Sequence, residues 1–126
     1  MVEDNHQLLN IVNIHLQRNG FSLLLAQSGD EAMQLINTPV APSLLLTDAV
    51  MPGSIQGPEL ALLYKSRWPK LPVVLMSGFV READLEKLPT NTISSFLPKP
   101  FTLARLTEEI SKTLLEADRD KLKKVA

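Results

Sequence analysis

The chain has 126 residues, with 13 lysines and arginines against 14 aspartates and glutamates, and no cysteine. That length makes one domain with a real hydrophobic core, and a net charge of −1 supplies no general pull toward nucleic acid or an anionic membrane surface. Without cysteine, disulfides, thiolate metal sites and a thiol nucleophile are excluded; no apolar run approaches the roughly 20 residues that span a bilayer. Met1-Val2 leads directly into Glu3-Asp4 with no signal-like stretch, so a soluble domain of the cytoplasm is expected, with no nucleic-acid or membrane contact in this segment.

Met1 and Val2 read as the end of a first strand that is mostly missing from the sequence. Asn5 is suited to cap a helix whose apolar residues, Leu8, Ile11, Val12 and Leu16, recur at three- and four-residue spacing, with Gly20 as its stop. Residues 21–26 are a second apolar run of strand length. Ser28-Gly29-Asp30-Glu31 reads as a capping box, and the helix behind it carries Ala32, Leu35 and Ile36. Residues 44–47, three leucines and a threonine, form a third strand running into Asp48. Residues 51–57 are a loop by composition. Pro58 suits the first turn of the next helix, striped with Leu60, Leu63 and Tyr64 and closed by Pro69.

A fourth strand spans residues 72–76 and ends at Ser77-Gly78, a short helix covers 82–88, and a fifth strand covers 93–97 before Pro98-Lys99-Pro100. Thr102 can cap the last helix, whose inner face is Leu103, Leu106, Ile110 and Leu114. Five strand–helix alternations predict an α/β fold, a five-stranded parallel sheet with helices on both faces and a truncated first strand. It would occupy residues 1–117, with 118–126 a charged helical extension or tail.

In such a sheet the carboxyl ends of the strands share one edge, where ligand sites form. Glu3-Asp4 ends the first strand, Asp48 the third, Ser77 the fourth and Lys99 the fifth. Asp48 alone is equally readable as a nucleophile or as a polar residue that ends a strand; the other three ends favour the first. Crowded carboxylates suit a hard divalent cation, Mg²⁺ or alternatively Mn²⁺. A lysine and a hydroxyl suit the charge that phosphoryl transfer spreads over equatorial oxygens, and a carboxylate can be the nucleophile. His6, His15 and Trp68 read as surface or packing residues.

Four blocks, Val2-Glu3-Asp4-Asn5, Leu46-Thr47-Asp48-Ala49-Val50-Met51-Pro52-Gly53, Leu75-Met76-Ser77-Gly78 and Phe96-Leu97-Pro98-Lys99-Pro100-Phe101, match in order and spacing a known family. Over residues 1–117 the chain resembles the receiver domain of two-component response regulators. The resemblance implies a flavodoxin-like (βα)5 fold and a signalling domain, not an enzyme, that catalyses only its own phosphorylation and slow dephosphorylation. Asp48 would be the phospho-acceptor, served by a sensor histidine kinase or a phosphotransfer domain. Asp4, Asp48 and the backbone carbonyl of Val50 would ligate Mg²⁺, with Glu3 acting through a metal-bound water. Ser77 and Phe96 would form the switch, and Lys99 would pair with the acceptor and then the phosphate, its bond to Pro100 being cis. A homodimer could form through the face made by the fourth helix, the fifth strand and the fifth helix. Val50 and Phe79, two past the acceptor and two past the switch hydroxyl, would slow hydrolysis of the acyl phosphate.

Two departures from the family are visible. The loop after Asp48 is one residue longer than the family's usual Met-Pro-Gly-Met-Asp-Gly form, a feature associated, like Met76-Ser77-Gly78-Phe79, with receivers of hybrid sensor kinases. The domain would then be part of a larger, membrane-anchored kinase. The first strand lacks its apolar start, as expected of a sequence trimmed from a longer chain. Two rival readings stand beside this one. A haloacid dehalogenase-type phosphatase would need a second aspartate where Val50 stands. A receiver-fold interaction module would never be phosphorylated.

Overall fold

The computed structural model describes residues 1–78, 88, 89 and 91–125, with side chains as far as Asp118. In chain order the elements are α1 (His6–Arg18), α2 (Gly29–Leu35), β1 (Leu45–Asp48), α3 (Gly57–Arg67), β2 (Val73–Ser77), β3 (Ser95–Pro98) and α4 (Leu103–Val125). The three strands form one parallel sheet in the order β1-β2-β3. Leu45 lies opposite Val73 and Asp48 opposite Met76; Val74 lies opposite Ser95 and Ser77 opposite Pro98.

The first and second of the five expected strands are present only as single-residue parallel bridges, Val2 to Ala26 and Val2 to Thr47. Val2 N donates to Leu46 O (2.8 Å) and Val2 O accepts from Asp48 N (2.9 Å), while Glu3 N donates to Ala26 O (3.1 Å). These bonds put Ala26, then Val2, beside β1 and extend the parallel arrangement by two positions. Residues 21–25 form no strand; Phe21, Leu23 and Leu24 line, with Met1, Leu44 and Leu46, an apolar cleft of about 590 Å³.

Successive residues of a strand point to opposite faces, and each face has its own core. Leu45 and Val73 pack with Ala32 of α2 and Leu60, Ala61 and Tyr64 of α3. Leu46, Val74 and Met76 pack with Val12 and Leu16 of α1 and Leu106 and Ile110 of α4. Helices therefore cover both faces, as the alternation predicts. Two helix stripes differ in detail from expectation. On α1 the buried set is Leu9, Val12 and Leu16, and Ile11 is 53% exposed; on α3 Ala61 is buried and Leu63 is 37% exposed. Three- and four-residue spacing fits more than one stripe on a Leu- and Ile-rich helix, and docking against the sheet selects between them.

The helix starts carry the expected caps. Asn5 Oδ1 accepts from Leu8 N (3.1 Å), Ser28 Oγ from Glu31 N (3.1 Å) and Thr102 Oγ1 from Arg105 N (3.1 Å). Glu31 reaches back to the amide of Gln27 (2.8 Å), one residue before the cap. Gly20 adopts φ +89° just past the Asn19 cap, a conformation that favours glycine. The helix α4 runs unbroken through position 117 to Val125, about 34 Å at 1.5 Å per residue. The helix expected over 82–88, apart from Leu88, and Phe79 lie outside the described residues.

Candidate functional site

The sheet ladder delivers the site residues to one edge. The bond from Asp48 N to Val2 O sets the end of β1 level with Glu3. A second bond, from Lys99 N to Ser77 O (2.7 Å), sets the residue after β3 level with the end of β2. Glu3 is 1% exposed and Asp48 8%, while Asp4 lies in the open. Lys99 Nζ donates to Glu3 Oε2 at 2.8 Å and to Asp48 Oδ2 at 3.1 Å, so one ammonium holds two buried carboxylates. The other oxygen of Glu3 accepts from Asn5 N (3.1 Å). Among the described residues, ligand atoms of Glu3, Asp4 and Asp48 lie within 4.8 Å of one another. The bond between Lys99 and Pro100 is cis.

Three carboxylates share this edge with one lysine, and burial sets the direction in which the two buried ones shift. Burial pushes the Glu3 carboxyl above its ordinary range; the hydrogen bonds from Lys99 and the Asn5 amide pull it back only in part. Burial likewise raises Asp48, against the charge and hydrogen bond of Lys99. Burial works against the Lys99 charge, but the Glu3 hydrogen bond and the Asp48 charge outweigh it and hold the ammonium above its ordinary value. The surplus negative charge and the all-oxygen donor set fit a hard divalent cation of the Mg²⁺ type.

The remaining expected residues are placed as follows. Ser77 is buried at the end of β2. Phe96, opposite Leu75 in β3, is 41% exposed. Val50 is 70% exposed in the loop that leaves Asp48. Glu3, Asp4, Asp48 and Lys99 are thus brought together, with Ser77 joined to them through the backbone of Lys99, while the side chains of Phe96 and Val50 are exposed.

Three residues that shape the site escaped sequence reasoning. Gly57 opens α3 against the end of β1: its N donates to Ala49 O (3.0 Å), and a Cβ there would stand 2.2 Å from Asp48 O. Thr47 Oγ1 donates to that same carbonyl (3.0 Å). Gln56 Oε1 accepts from Met51 N (2.8 Å) and its Nε2 donates to Met51 O (2.9 Å), closing the loop on itself. Gly57 sat in a loop-like composition that hid a packing role. A glutamine at a helix start carries no usual signal.

Comparison with known proteins identifies the family and the fold. Residues 1–111 match the family described as the response regulator receiver domain. The chain is 30% identical over 104 residues to the sensor kinase CckA of Brucella abortus, covering 82% of this chain and 11% of that one. It is 32% identical over 123 residues to the transcriptional activator protein PfeR of Pseudomonas aeruginosa, covering 97% of this chain and 39% of that one. The chain therefore spans well under half the length of both relatives. Its fold superposes on the crystal structure of a CheY-like response regulator receiver domain protein from Methanospirillum hungatei JF-1 with a TM-score of 0.84 at 22% identity, covering 94% of each chain. Four motif blocks, a flavodoxin-like fold and a family match over residues 1–111 lead to one assignment: the chain belongs to the response regulator receiver domain family.

Proposed function

We propose that this receiver domain accepts a phosphoryl group on Asp48 from the phosphohistidine of a sensor histidine kinase or a phosphotransfer domain. The observation that carries the reading is the Lys99 ammonium held between Glu3 (2.8 Å) and Asp48 (3.1 Å), beside a third carboxylate, Asp4. Asp4, Asp48 and the Val50 carbonyl are the groups that would hold Mg²⁺, or Mn²⁺ in its place, with Glu3 acting through water. Bound there, the cation would offset charge on the phosphoryl oxygens.

The transfer itself falls to the chain's own residues. A carboxylate oxygen of Asp48 attacks phosphorus as the bond from phosphorus to the donor imidazole breaks. The bonding electrons return to the imidazole nitrogen, which takes up a proton, and an acyl phosphate remains on Asp48. Lys99 turns from the carboxylate to a phosphoryl oxygen, and Ser77 donates to another. The phosphoryl group brings about 1.5 to 2 negative charges to the edge. As Ser77 closes on it, Phe96 rotates inward, and the surface around β3 and α4 changes shape. That surface is where a homodimer would form.

The domain is a signalling module, turns over no free metabolite, and works in the cytoplasm, alone or as part of a larger kinase. Similarity to the sensor kinase CckA supports a histidine kinase as the partner class. Val50 and Phe79 make the phosphorylated state long-lived, so a half-life of only seconds in Mg²⁺ buffer would contradict that part of the reading.

The test is incubation with Mg²⁺ and phosphoramidate or acetyl phosphate, beside the Asp48→Asn variant, read by intact mass. The wild type gains one phosphoryl group and the variant gains none. An unchanged wild type would instead favour the interaction module, and steady phosphate release from small esters the phosphatase.

A further inference from the structure

Gln56 stands at the N-cap of α3, yet its side chain makes no capping bond there. Its amide turns back across the loop instead. Gln56 Oε1 accepts from Met51 N at 2.8 Å, and Nε2 donates to Met51 O at 2.9 Å and to Gly53 O at 3.4 Å. The N–H of Met51 belongs to the same planar peptide unit as the C=O of Val50. In a trans peptide these two groups point in opposite directions from one rigid plane. A side chain that fixes the direction of the Met51 N–H therefore fixes the direction of the Val50 carbonyl oxygen. Accepting a hydrogen bond from that N–H also polarises the peptide and makes its oxygen a stronger donor to a cation.

We propose that Gln56 is a positioning residue for the divalent cation: it aims and polarises the Val50 carbonyl at the acidic cluster of Glu3, Asp4 and Asp48. The inference rests on the receiver reading above. It also gives a role to the longer loop. A loop with an additional residue has more ways to turn, and Gln56 selects one by tying Met51 on both sides of its backbone. Gly57, directly after it, packs on the Asp48 carbonyl, so the clamp is anchored to the strand that carries the acceptor. Val50 itself is 70% exposed, and its side chain makes no packing that would do this work.

The test measures Mg²⁺ affinity of the 126-residue chain by titration calorimetry, together with exchange of the Met51 amide in the absence of metal. Gln56→Ala should weaken Mg²⁺ binding about 10-fold, the scale of a lost partner to a metal ligand, and should speed Met51 exchange. Gln56→Glu retains an acceptor oxygen for the Met51 N–H but loses the bond to Met51 O, so it should keep Met51 exchange slower, and bind Mg²⁺ more tightly, than Gln56→Ala. Gln34→Ala, on the exposed side of α2, should change neither reading. Wild-type affinity in Gln56→Ala, unchanged Met51 exchange, or equal weakening in the Ala and Glu variants would overturn the role of Gln56. A wild type with no Mg²⁺ affinity at all would overturn the receiver reading along with it.

Discussion

Lys99 is the residue on which the edge depends. Its removal leaves Glu3, 1% exposed, and Asp48, 8% exposed, as buried carboxylates that lack their shared cation. Breaking one side of a buried pair is more costly than never having had it. Lys99→Ala should destabilise the metal-free domain by about 1–3 kcal/mol in urea denaturation, the scale of a buried group left without its partner, and abolish most phosphorylation. Replacing Glu3 by Gln in the same chain should restore part of the stability and none of the phosphorylation. Equal stability of Lys99→Ala and wild type would show that the three groups do not share charge as described.

The raised carboxyls of Glu3 and Asp48 carry a pH dependence of known sign. Protonation of either would remove negative charge from the cluster proposed to hold the cation, so Mg²⁺ affinity should begin to fall at a higher pH than the ordinary carboxylate value of about 4. Without metal the folded chain binds protons in that window which the unfolded chain does not, so stability rises as pH falls through it. Calorimetric titration and thermal melts across that window test both directions; Mg²⁺ affinity flat down to the ordinary carboxylate range would contradict the shifts. At this scale the site was legible in the sequence because strand ends in a parallel sheet share an edge: Asp48 and Ser77 end β1 and β2, Lys99 directly follows β3, and Glu3 and Asp4 follow the bridge at Val2. Gln56 and Thr47 were not, since each acts on a backbone group whose position only the folded loop defines.

The contact between β1 and the start of α3 is the element-level counterpart. Gly57 is needed because α3 begins almost on top of the Asp48 carbonyl, 2.2 Å from where a Cβ would stand. The obstructing atom is backbone and cannot rotate away. Gly57→Ala should therefore cost about 1–3 kcal/mol and slow phosphorylation by displacing Asp48, read by urea denaturation and by the rate with phosphoramidate. A neutral effect on both would mean that α3 can slide without moving β1.

The short first strand has its own signature. Met1 N donates to Leu24 O at 2.7 Å, and burial pushes its amine down to about 6, below the ordinary value of 8.0. Between those values the unfolded chain holds a proton that the folded chain has lost, so stability rises with pH through that window. A 126-residue chain with a free amine should melt at higher temperature at pH 8 than at pH 6, and an N-acetylated chain should lose this contribution. The same slope in both would assign it to other groups. The elements themselves were mostly legible from caps and periodicity. The second strand was not, because residues 21–25 have the composition of a strand but lack a paired neighbour, and pairing is a property of the sheet.

Over the whole molecule, two apolar cores hold a thin parallel sheet between helix pairs and leave its carboxyl edge to the charged residues. The opposite end holds the apolar cleft beneath Met1. Chemistry and packing are thus separated along the strands. With that separation, the proposed switch at the edge would change the surface around β3 and α4 without rebuilding either core. The central claim is that the edge forms an acyl phosphate on Asp48 and nowhere else. Treating the phosphoramidate-reacted, Mg²⁺-loaded chain with labelled borohydride reduces an aspartyl phosphate to homoserine, and peptide mapping then locates the label. The account predicts labelled homoserine at position 48 alone; label at Asp4, at Glu3 as the corresponding alcohol, or at no acidic residue would contradict it.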